Sequence, residues 1–143
     1  MSRRTIFPML GLLAIALVAQ PALAGKPSAA PLTGTIDLAA PARVAADVTW
    51  PRYGDVVGFA TSVSGSVAAK SMVYVNVVCL QGGTVVYQAS APQGATFDLV
   101  DQAGQGLEWD AAADCIGSLV YRVDKGQTTT IAYLDQESFG VAG

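Results

Sequence analysis

The chain has 143 residues, no histidine, two cysteines, and eight basic against eleven acidic side chains, for a formal charge of −3. Without histidine there is no Ser-His-Asp or Cys-His nucleophile, no imidazole general base and no His-containing zinc pattern. The acidic balance repels phosphate backbones and anionic headgroups, so neither nucleic acid nor a charged lipid surface is an expected partner.

Residues 1–24 read as a secretory signal peptide. Ser2-Arg3-Arg4 carry positive charge and 6–19 is almost wholly apolar. Pro21-Ala22-Leu23-Ala24 then sets small residues at −3 and −1 before Gly25, which predicts cleavage after Ala24. The apolar run is short for a membrane span and contains Pro8, which argues against a retained anchor. Ser2-Arg3-Arg4-Thr5 resembles part of a twin-arginine signal, whereas the leucine-rich run suits general secretion, and both routes stay open. No cysteine follows the cleavage site, so the mature chain is expected to carry no lipid anchor. The expected location is secreted, extracellular. Loss of Arg3 and Arg4 leaves six basic against eleven acidic side chains, enough negative charge to keep an extracellular domain solvated.

Residues 25–34 are rich in Gly, Pro and Ser and read as a flexible mature N-terminus, with 35–143 as one domain. Strands are predicted at 35–38, 44–49, 56–63, 71–80, 84–90, 96–100, 115–123 and 128–134, with a short edge segment at 138–141. No ten-residue stretch after Ile36 has helical periodicity free of Gly or Pro. The fold class is therefore all-β, an immunoglobulin-like antiparallel β-sandwich of about 7–8 strands with one core disulfide.

Two strands carry the clearest pattern. Over 71–80, Val73, Val75, Val77 and Cys79 share one face, and Met72, Tyr74, Asn76, Val78 and Leu80 the other. Apolar on nearly both sides, this is the pattern of a central strand. Over 115–123, period two buries Cys115, Leu119, Tyr121 and Val123 and solvates Ser118, Arg122 and Asp124. Both cysteines fall on the apolar face of their strand, and export puts them in an oxidising compartment, so a Cys79–Cys115 disulfide is expected. Its loop of 36 residues is worth about 4 kcal/mol in the chain-entropy model. A redox couple would want a close C-x-x-C motif instead.

Gly82-Gly83 marks a hairpin. A two-residue turn pairs Leu80 with Val85. A three-residue loop, Gln81-Gly82-Gly83, pairs Leu80 with Thr84 and gathers Val75, Val77 and Cys79 with Val85, Tyr87 and Ala89. Burial favours the three-residue loop.

Carboxylates are the remaining chemistry. Asp98, Asp101, Glu108, Asp110 and Asp114 concentrate around Gly104-Gln105-Gly106 and Trp109. Paired acids can hydrolyse a glycoside, but that chemistry also needs an aromatic cleft. Calcium suits a loop of oxygens better. Against it, Ala103, Gln105 and Ala112 stand where an EF-hand loop has ligands. A solvated connection is the plainer reading, and no metal or cofactor is expected. Trp50 precedes Pro51 in a turn, and Trp109 lies in the acidic loop. Either caps an open end of the sandwich or offers a platform to a sugar ring or protein. Candidate ligand-binding residues are thus Trp50, Trp109, Asp101, Glu108 and Asp110, with no catalytic residue expected. Ser66 and Lys70 lack S-x-x-K spacing, and Asn76 is followed by Val-Val, so it is no glycosylation acceptor.

Tyr53-Gly54-Asp55 before a Val/Phe strand, Val75-Asn76-Val77-Val78-Cys79, Gly82-Gly83-Thr84-Val85-Val86-Tyr87 and Asp114-Cys115 together resemble small secreted immunoglobulin-like proteins of actinobacterial type. The resemblance implies a fold and a location and carries over no catalytic residue. The neocarzinostatin-type apoproteins share size and acidity but have two local disulfides. An antibody-type domain would space its bridge more widely. The functional expectation is a non-enzymatic module acting by surface contact, in adhesion, the cell envelope or assembly, with a protein or cell-surface glycan as partner and its oligomeric state open. The alternative is a carbohydrate or small-ligand binder using Trp109, Trp50 and the 98–114 loop.

Overall fold

Short runs of β-branched and aromatic residues alternating in and out build two antiparallel sheets in a computed structural model, which describes residues 31–40 and 48–143. The strands are β1 (Thr33–Ala39), β2 (Val56–Ser64), β3 (Ser71–Gln81), β4 (Thr84–Pro92), β5 (Thr96–Asp98), β6 (Ala113–Lys125) and β7 (Thr128–Val141). One sheet has the order β1-β2-β5 and the other β4-β3-β6-β7. This is an immunoglobulin-like sandwich whose fourth strand lies beside the third, as in variable-type domains, rather than on the first sheet.

The core lies between the layers. Ile36, Val57, Phe59, Phe97 and Leu99 come from the β1-β2-β5 side, and Val75, Val77, Cys79, Tyr87, Cys115, Leu119 and Val141 face them. Phe59 packs at 5.9 Å from the Phe97 ring and 5.8 Å from the Phe139 ring. The layers approach closely where Phe59 lies over Gly117, where a Cβ would sit 2.5 Å from its ring. Glycine at 117 is a requirement of that approach.

Cys79 and Cys115 are bonded, directly opposite each other in the β3–β6 ladder with Cα atoms 4.0 Å apart. The bridge therefore lies within one sheet, where the immunoglobulin bridge spans two.

Several expectations are corrected. The β3–β4 hairpin has a two-residue loop, with Gln81 opposite Thr84 and Leu80 opposite Val85. Val86 is then an extra residue, because Cys79 lies opposite Tyr87. This bulge returns Tyr87 and Ala89 to the cysteine face and makes the longer loop unnecessary. The segments expected at 128–134 and 138–141 are one strand, β7. A second bulge leaves Leu134 unpaired between Tyr133, opposite Val120, and Asp135, opposite Leu119. Ser118 is not solvated but 4 % exposed. Its outer face is roofed by cross-strand neighbours, and Gln136 Nε2 donates to its hydroxyl at 3.0 Å. β1 begins at Thr33, inside the segment read as flexible, and β5 stops at Asp98. The signal peptide, most of the leading segment and 44–47 of the expected second strand lie outside the described residues, and Val48 and Thr49 are not in a strand.

Candidate functional site

At one end of the sandwich, the Tyr53 turn is pinned from two sides. Tyr53 N–H donates to the Ala142 carbonyl at 2.8 Å, and Gly54 N–H to that of Leu99 at 2.7 Å. Asp55 holds the turn itself, accepting from Arg52 N–H at 2.8 Å. Tyr53 thereby meets Trp109 edge to face at 5.5 Å, and Tyr87 reaches the same indole at 5.8 Å. Trp109 is 5 % exposed, with its ring nitrogen donating to the Ala111 carbonyl at 2.6 Å. Trp109 caps the core and presents no stacking platform to solvent. Trp50 is half-buried against that core. Burial, and next the charge of Asp98, pushes the Tyr87 phenol above the ordinary tyrosine range.

The acidic stretch surrounds this cap without converging on it. Asp101, Glu108 and Asp110 are all exposed. Gln102 carries the loop, its carbonyl accepting from Gln105 and Leu107 N–H. Among the described residues, no three acidic, cysteine or histidine side chains gather into a metal-holding group.

A different surface stands out. Directly opposite residues share a sheet face, so the pairings of β3, β6 and β7 define the outer face of the four-stranded sheet. Pro92, Tyr74, Val120 and Tyr133 form one row across it, and Met72, Arg122 and Ile131 the next. Met72 is 52 %, Ile131 52 % and Tyr133 63 % exposed. Ile116 is also exposed, two rows away, beside half-buried Val78. Between these apolar areas runs a polar row, Ser90-Asn76-Ser118-Gln136, in which the Ser90 hydroxyl donates to Asn76 Oδ1 at 2.9 Å. An open groove of about 490 Å³ lies where β4 ends, bounded by Met72, Tyr74, Pro92 and Arg122 among others.

Arg122 brings charge into this patch, between Met72 and Ile131. Arg122 Nε and Asp124 Oδ1 are 3.0 Å apart. The Thr129 hydroxyl, and then Arg122, hold the Asp124 carboxyl below its ordinary range. Nearby, the Tyr121 phenol is lowered first by the Ala68 N–H that donates to its oxygen at 2.9 Å.

The signal for this face was the two-sided apolarity of β3. In a fold of two layers the outer face of a central strand has no sheet packed over it, so its apolar residues are covered by cross-strand neighbours, as Val120 is, or exposed, as Met72 is. Comparison with family models, with curated proteins and with solved structures finds no match to the chain. Among the described residues, no helix is long and apolar enough to cross a membrane.

Proposed function

We propose that this chain is an exported, non-enzymatic sandwich domain that works by surface contact through the outer face of its β4-β3-β6-β7 sheet, in adhesion, the envelope or assembly. The observation that carries the reading is Met72, Ile131 and Tyr133, each more than half exposed in adjoining rows of one face. Grouped apolar exposure of this kind marks a surface that another surface covers. Export draws support from the Cys79–Cys115 bond, since such bridges persist in oxidising compartments. Enclosure of Trp109 and the dispersed carboxylates favour contact over sugar stacking or hydrolysis at the 98–114 loop.

Retention of the labelled protein on envelopes of the producing cells tests this. The Met72→Lys, Tyr133→Lys double variant is expected to lose at least about tenfold in retention, with an unchanged melting temperature. Val56→Lys and Val100→Lys, exposed elsewhere, should bind like the parent. Equal retention by all variants would overturn the reading. A hydrolytic activity abolished by Asp110→Asn would replace it with an enzyme.

A further inference from the structure

Four strands lie at sheet edges: β1 and β5 in one sheet, β4 and β7 in the other. Three are closed to further pairing. β5 has only three residues. On β1, Ile36 N–H donates to Asp135 Oδ2 at 3.0 Å. On β4, Gln88 N–H donates to Gln102 Oε1 at 3.1 Å, and the strand ends at Pro92, which has no N–H to offer. Short length, proline and side-chain caps are the usual ways of blunting an edge.

The first half of β7 has none of them. Residues 128–133, Thr-Thr-Thr-Ile-Ala-Tyr, are exposed at every position and contain no charge, proline or glycine. β1 approaches β7 at the bulge, with Gly34 beside Leu134 and Ile36 beside Asp135.

Ladder alternation shows which backbone groups are free. Cys79 and Cys115 form a close pair, Cα to Cα 4.0 Å, so Tyr74–Val120 and Met72–Arg122 are hydrogen-bonded pairs. Val120 and Arg122 thus turn their backbone groups toward β3. Their β7 partners Tyr133 and Ile131, with Thr129 in the same phase, turn theirs outward. The same phase is seen directly at Asp124, whose N–H reaches the Lys70 carbonyl on the β3 side at 3.1 Å, and at Gln88, whose N–H points off the β4 edge.

We propose that this half-strand pairs with the same half-strand of a second copy of the chain, antiparallel about a two-fold axis through Ile131, joining two four-stranded sheets into one. The inference rests on the contact reading above and names its partner. A two-fold axis makes the edge complementary to itself, and Thr129, Ile131 and Tyr133 then exchange about six backbone hydrogen bonds. Ile131 meets Ile131, and Tyr133 meets Thr129, an aromatic against a β-branched side chain. No like charges oppose each other along 128–133. The apolar patch around Ile131 and Tyr133 runs on across the axis.

Sedimentation equilibrium of the secreted protein over a wide concentration range tests the pairing. A reversible dimer is expected, weakened at least about a hundredfold by Ile131→Lys, which sets like charges on the axis. Ile131→Pro, which removes only an outward N–H, should also yield a folded monomer. Ile116→Lys, on the same face but away from the edge, should leave the dimer intact. A dimer broken by Ile116→Lys and not by Ile131→Lys would mean that faces stack, and overturns edge pairing. A monomer at every concentration overturns it too, while envelope retention lost in the Met72→Lys, Tyr133→Lys variant would leave the contact reading standing.

Discussion

Replacing Gly117 by alanine tests how closely the two layers meet. The new methyl would lie 2.5 Å from Phe59 Cε1 and 2.7 Å from its Cζ, far inside the ~3.5–4.0 Å at which carbon atoms attract. Phe59 has little room to retreat, being 6 % exposed and packed between Phe97 and Phe139. Two terms compete. Loss of glycine's freedom in the unfolded chain stabilises by about 0.4–1 kcal/mol, and overpacking costs about 1–3 kcal/mol. The clash wins, leaving a net loss of about 1–2 kcal/mol, or roughly 4–8 °C in melting temperature for a domain of this size. Chemical denaturation should show a lower midpoint with an unchanged slope. Phe59→Leu withdraws the ring that clashes, so the double variant should be more stable than the two single losses predict, by at least about 0.5 kcal/mol. A Gly117→Ala protein as stable as the parent, or losses that simply add, would refute the close approach.

Other outcomes follow from the same contacts. Both sulfurs are buried, at 0 % and 1 % exposure, so the native protein should resist reductant. The Cys79→Ala, Cys115→Ala variant should lose about 4 kcal/mol, and a parent-like denaturation midpoint would contradict that. The Asp124 carboxyl is held down first by Thr129 and then by Arg122. Its contribution to stability is therefore present above the unfolded carboxylate value of about 3.9 and disappears as pH falls through the lower folded value. Carboxyl NMR titration should show a low midpoint that Thr129→Val raises, and an unmoved midpoint would contradict the assignment. Trp109 should fluoresce blue-shifted and resist iodide quenching, and a panel of glycans should leave its emission unchanged. A saturable glycan response abolished by Trp109→Ala would restore the carbohydrate reading.

The strands that could be read from sequence are those whose alternation is unbroken. β3 and β6 keep strict period two through Val75, Val77, Cys79 and through Cys115, Leu119, Val123, and their cysteines meet as that phase requires. Errors sit where an extra residue flips the phase. Val86 does so in β4 and Leu134 in β7. The first made a longer loop look necessary, and the second split one strand of fourteen residues into two segments. A bulge is defined by two residues facing one on another strand, so the bulged strand alone does not contain it. The outer face of the four-stranded sheet was hard to read for a related reason. Trp109 and its acids are conspicuous by type, yet the indole is consumed by Tyr53, Tyr87 and the Ala111 carbonyl. Met72, Ile131 and Tyr133 each look like core residues and become a surface only once the number of layers is known.

Placing the disulfide within one sheet has a structural consequence. Cohesion between the layers rests on packing, chiefly Phe59 over Gly117 and against Phe97 and Phe139. The covalent bond instead reinforces the β3–β6 ladder, already paired from Ser71–Val123 to Leu80–Asp114. That ladder is the middle of the sheet bearing Tyr74, Val120 and Tyr133 on its outer side and the open edge at its margin. A surface fixed in shape before contact gives up little conformational freedom on contact. The staple thus reinforces the central ladder of the sheet that carries this face, five residues along β3 from Tyr74, rather than tying the two layers together across the core.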